Sequence, residues 1–188
     1  MAACSSKEEP TVDVYVEGTV VGIDANAIAI SMGEFDYVDP ETGEEEKRQS
    51  EVVANLPENR NGVVIPEMGE TARFGLYGHN YRTNGNYFLL VSVAPIDSEA
   101  DTPTKYEDQE PDYYEDLIVV GVTAKSGGLD GARHWAIFGE EGSEDYLFAS
   151  FGHDNGIMLP PAGAKVRVGL IKDGKRPRLA SLEVPEED

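Results

Sequence analysis

Hydrophobic and polar residues alternate along most of this chain, and the alternation has the two-residue period of strands. In "AKVRVGLI", residues 164–171, Val166 and Val168 fall on one face and Lys165 and Arg167 on the other. "DLIVVGVTA" (116–124), "RHWAIF" (133–138), "YLFASF" (146–151) and "RLASLEV" (178–184) complete a set of five predicted strands, with hairpin-turn chemistry in "EEGSED" and in Asp173-Gly174. The first half follows the same plan through "VYVEGTVVGI", "NAIAISM", "SEVVANL", "ETARFGLYG" and "NYFLLVSV". There "GEFDYVDPETGEEEKRQ" reads as a long turn, an insertion tolerated at a hairpin tip. Helical periodicity is nearly absent.

The two halves are copies. "NGVVIPEMGETARFGL" at residue 61 returns as "NGIMLPPAGAKVRVGL" at residue 155, 94 positions later, with Asn, Gly, Pro, Gly, Arg, Gly and Leu in register. The expected organisation is an N-terminal segment 1–10, a first unit 11–96, a connector 97–115, a second unit 116–184 and a tail 185–188. Five strands in some 70 residues is the count of a small OB barrel. The expected fold is therefore all-β, two tandem five-stranded OB-like barrels joined by an acidic linker. The repeat predicts that Val63, Ile65, Phe74 and Leu76 match Ile157, Leu159, Val168 and Leu170.

Charge divides the halves. Fifteen basic and 36 acidic residues give a net charge of −21, of which residues 11–96 carry −9 and residues 117–182 carry +1. "DSEADTPTKYEDQEPDYYED" holds nine acidic residues and two prolines, and reads as a solvated, self-repelling linker. No apolar run approaches the length of a membrane span, so no membrane partner is expected. A single cysteine, Cys4, excludes an internal disulfide and fits a cytoplasmic setting; "AACSS" is similar to a processed lipoprotein end, but the reading is a terminal thiol.

"HWAIFGEEGSEDYLFASF" followed by "LPPAGAKVRVGLIKDGKRPRLASLEV" resembles the cold-shock domain over residues 116–185. The resemblance implies a barrel whose adjacent strands present aromatic rings to unpaired bases. Aligned on "EEGSED", the family's stacking positions fall on His134, Ala136, Leu147 and Ala149, three of which carry no ring. Trp135, Tyr146 and Phe148 fall on the alternate face, where they are expected to fill the barrel, with Trp135 mostly buried.

What remains for binding is cationic. Lys165, Arg167, Lys172, Lys175, Arg176 and Arg178 lie close together around the last hairpin, and Arg133 and His134 are expected beside them, as a groove for single-stranded DNA or RNA. The alternative is an acidic protein-interaction module, in which the first unit and connector engage a basic protein partner. His79, His134 and His153 lack metal-ligand spacing, and "KSGGLDGAR" lacks the end of a phosphate loop. With no nucleophile and base brought together by sequence, neither an enzyme nor a cofactor is expected. Oligomeric state and the relation of the two units are not set by these patterns.

Overall fold

A computed structural model describes residues 12–58, 62–83, 86–96, 110–126, 132–140, 143, 145–151 and 156–186; of 79–83, 86–87, 124–126 and 132–134 it describes the backbone alone. The described residues form eleven strands: β1 (Val14–Ile23), β2 (Ala27–Val38), β3 (Glu45–Asn55), β4 (Thr71–Thr83), β5 (Asn86–Ala94), β6 (Tyr113–Ser126), β7 (Ala132–Gly139), β8 (Tyr146–Ser150), β9 (Ile157–Leu159), β10 (Lys165–Ile171) and β11 (Arg178–Glu183). The chain is all-β, with two sheets of six and five strands. Among the described residues no helix is long and apolar enough to cross a membrane.

The duplication is visible bond by bond. Asp13 donates its backbone N–H to Leu76 O at 2.9 Å while its carboxylate accepts Gly78 N–H at 2.7 Å. Asp112 repeats both contacts in the second copy, to Leu170 O at 2.8 Å and from Lys172 N–H at 2.8 Å. Gly69 N–H donates to Val20 O, as Gly163 N–H does to Val119 O. β1 pairs β4 through Val14↔Leu76, as β6 pairs β10 through Tyr113↔Leu170, and both first strands are kinked where their second pairing begins, at Val20/Gly22 and at Val119/Gly121. Val14 and Tyr113 thus hold corresponding places, and so do Val16 and Glu115.

Three expectations are corrected. The first unit is not a self-contained five-stranded barrel: its sheet has six strands in the order β2-β3-β5-β4-β1-β9, with β1 also pairing β2, and the sixth, β9, is a segment of the second copy that pairs parallel with β1 through Val14↔Ile157, Tyr15↔Met158 and Val16↔Leu159. The second sheet, β10-β11-β8-β7-β6, returns on itself where β10 meets β6, with a seam between β8 and β11 of one residue pair, Arg178↔Ser150. Two matching OB barrels of the cold-shock kind are therefore not what the chain builds. The strand parity differs as well. Ala136 and Ala149, at the cold-shock stacking positions, are wholly buried in the core with Phe138, while Trp135 and Phe148 lie on the outer face.

The "GEFDYVDPETGEEEKRQ" stretch is no long turn. β2 and β3 run through it as paired arms, closing only at Asp39–Glu44, where the Asp39 carboxylate accepts Glu41 and Thr42 N–H at 2.8 and 3.1 Å. Those two bonds, Glu41 first, hold the Asp39 carboxyl below its usual range. The arm lies on the second sheet. Phe35 packs with Ile118 and Val120 and meets Tyr146 edge-on, with ring centroids 6.4 Å apart. Ala162 N–H donates to Met32 O at 2.9 Å, and a single core cluster runs from Val14 and Phe74 to Phe138 and Leu170. The two copies share one interior.

Candidate binding groove

Strand β6 has two halves. Its C-terminal half pairs β7, and its N-terminal half pairs β10 on one side only. Among the described residues nothing pairs the other side at Tyr113–Glu115. In the first copy the matching edge, Val14–Val16, is the one that β9 covers. Beside the uncovered edge opens a groove of about 480 Å³ lined by Glu115, Leu117, Glu140, Asp145, Tyr146, Leu147, Phe148 and Lys175 to Pro177. β6 begins at Tyr113, inside the span read as connector, so the tail of the acidic run forms one wall.

The correspondence extends along the groove. Glu115 matches Val16, the partner of Leu159. Because Ile118 faces Gly139 as Thr19 faces Ser31, the next residue, Glu140, matches Met32, whose carbonyl accepts Ala162 N–H. The groove of the second copy thus lies where the first copy holds the β9 segment.

Phe148 on the groove's wall has Trp135 beside it. Trp135 faces Ser150 and Ile137 faces Phe148 across the β7–β8 ladder, so Trp135 and Phe148 share a face. The Arg176 guanidinium lies over both rings, 4.9 Å from each centroid. It is delivered there by the β10–β11 turn, where Gly174 takes φ of 61° and Arg176 N–H donates to Asp173 O at 3.3 Å. Trp135 is 8% exposed beneath it. Trp135 is buried as expected, but under a cation on the outside and not within the barrel.

The other predicted cations are spread out. Arg178 meets Asp173 at 3.5 Å, and Lys172 is exposed at the same turn. Arg167 lies over Tyr114 at 5.1 Å and faces Asp116 and Glu183 across its two ladders, a row of alternating charge. Lys165 lines a second cavity of about 290 Å³ with Glu34, Asp36 and Lys47. Arg133 and His134 sit on β7 opposite Lys125 and Ala124, and their side chains lie outside the described residues. Among the described side chains of this set, only Lys175 and Arg176 come together at the groove, against three carboxylates.

Two phenols flank this region. Burial raises Tyr113 above its ordinary range, with Glu115 and Asp112 adding to the rise. Burial likewise raises Tyr146, opposed by Arg48, whose guanidinium also lies over Tyr37 at 3.2 Å. Among the described residues no three His, Cys, Asp or Glu side chains gather as metal ligands. His153, Cys4, most of the connector and the last two residues lie outside the description.

No protein-family model matches the sequence, so the cold-shock resemblance has no support there. Nor does any curated protein match.

Proposed function

We propose that this chain is a non-enzymatic protein-interaction module whose second copy accepts an extended polypeptide segment along the Tyr113–Glu115 edge and into the groove beside it. One observation carries the reading: the corresponding edge of the first copy is occupied by just such a segment, β9. Strand addition supplies affinity through backbone hydrogen bonds and selectivity through alternate side chains. Glu115, Glu140 and Asp145 at the rim, in a chain of net charge −21, favour a polypeptide over a polyanion.

A single-stranded nucleic acid is the second reading, favoured by Trp135 and Phe148 side by side with Lys175 nearby. It requires bases to displace Arg176 from both rings.

Trp135 is the one tryptophan of the chain, so its fluorescence reports on the groove. The full chain is titrated with a peptide of residues 155–165 and, separately, with single-stranded DNA and RNA at two salt concentrations. A saturable change with peptide and none with oligonucleotide is expected. Oligonucleotide binding that weakens steeply with salt, with no response to peptide, would reverse the order of the two readings.

A further inference from the structure

The segment Gly156–Leu159 has a counterpart in the first copy, Gly62–Ile65, and the two have different surroundings. In the second copy a Cβ placed on Gly156 would meet the Tyr15 ring at 3.3 Å, and the Gly156 N–H donates to Val12 O at 3.0 Å. Gly62 has the same left-handed backbone, φ of 77° against 56°, with nothing among the described residues within 4 Å of that position. Ile157 and Leu159 are fully buried, whereas Val63 and Ile65 are half-buried and form no strand. Met68, the counterpart of Ala162, is 59% exposed.

The receiving edge shows the complementary contrast. Tyr15 is half-buried under Gly156 and Asp13 is fully buried, while their counterparts Tyr114 and Asp112 are exposed, Tyr114 to 48%. One copy of the repeat therefore has a covered edge and a segment that joins no strand, its Val63 and Ile65 only partly buried against the core and Val64 exposed, and the other has an edge that no described residue pairs and has given its segment away.

We infer that the partner is a second copy of this chain, whose Gly62–Ile65 segment adds in parallel to Tyr113–Glu115, pairing Val63 with Tyr113 and Ile65 with Glu115 as Ile157 pairs Val14 and Leu159 pairs Val16. The inference rests on the protein-interaction reading, and the internal β1–β9 contact is its template. The contact is heterologous: donor and acceptor are different surfaces, so each added copy leaves one of each free and the assembly grows head to tail. Met68 then reaches Glu140 as Ala162 reaches Met32. Since every copy carries −21, salt strengthens the association by screening the repulsion.

The test uses the full chain. Val64, 81% exposed, and Tyr114 lie on opposite partners of the contact, so Val64→Asp disables the donor and Tyr114→Asp the acceptor. Both positions are exposed, and matching unfolding curves check that the variants fold; Val64→Lys repeats the donor test with the opposite charge. In sedimentation velocity the wild type is expected to shift to larger species as concentration and salt rise. Each variant alone should remain a monomer, and an equimolar mixture should give a dimer and nothing larger, because one live donor meets one live acceptor. A wild type that stays monomeric throughout overturns the inference. So does a mixture that forms no dimer, which marks a two-fold contact or another surface. If self-association is absent while the 155–165 peptide still binds, the protein-interaction reading stands and only the identity of the partner falls.

Discussion

Met158 and Val64 occupy the same place in the two copies of the repeat, yet Met158 is 8% exposed and Val64 is 81% exposed. The difference comes from what lies alongside: Met158 runs beside Tyr15 in a parallel ladder, and Val64 forms no ladder. Corresponding positions of the repeat are therefore expected to carry different stability. Met158→Ala should lower unfolding free energy by about 2 kcal/mol, while Val64→Ala should change it by less than about 0.5 kcal/mol. Urea unfolding of the two variants checks both values.

Arg176 should matter to Trp135 more than to the fold. Removing a cation from two exposed-side aromatic faces costs about 0.5–1 kcal/mol. Arg176→Ala should leave the fold intact, shift Trp135 emission to longer wavelength and increase its quenching by acrylamide. Arg176→Lys should restore part of both, since an ammonium keeps the charge without the planar stack. Unchanged emission would place the guanidinium elsewhere.

The β2–β3 arm should depend on Phe35. This ring is 9% exposed and joins the arm to Ile118, Val120 and Tyr146. Phe35→Ala should cost about 3 kcal/mol and make residues 33–49 the first site of limited proteolysis. Gly121→Ala should act in the same direction, because a Cβ there meets Ser50 Oγ at 2.7 Å.

Alkaline pH should weaken the fold through Tyr113 and Tyr146. Both phenols are raised in the folded chain, so above the unfolded value of about 10 the folded state holds more protons than the unfolded one. The stability they lend is complete below that value and is lost as pH rises through the raised ones. Urea midpoints measured across that range should fall, and Tyr146→Phe should flatten the fall.

Much of the framework was legible. The seven shared residues of the repeat located equivalent strands, and the equivalence of Val168 with Phe74 and of Leu170 with Leu76 holds through the β6–β10 and β1–β4 registers. The destination of β9 was not legible, because "IML" is apolar enough for any sheet and only tertiary contacts choose β1. The parity of β7 escaped for a related reason. Its outer face is covered by Arg176 and the β2–β3 arm, so Trp135, Ala136 and Phe138 are all buried and alternation has no polar side to read. Phe35 and Tyr37 were hidden by the carboxylates Glu34 and Asp36 with which they alternate along the arm. The cations adjacent in sequence are spread in space, since Arg167 on β10 lies over Tyr114 while Arg176 folds back onto Trp135 and Phe148 of β7 and β8.

If the open edge of β6 and its groove receive an extended polypeptide, as proposed, backbone amides along that edge become protected. Amide hydrogen exchange of the full chain, with and without excess 155–165 peptide, tests it at the residues concerned. Slower exchange is expected at Tyr113–Glu115 and around Glu140, with β10 and β11 unchanged. Protection that appears instead along Lys172–Arg178, and only when single-stranded DNA or RNA is added, would contradict it.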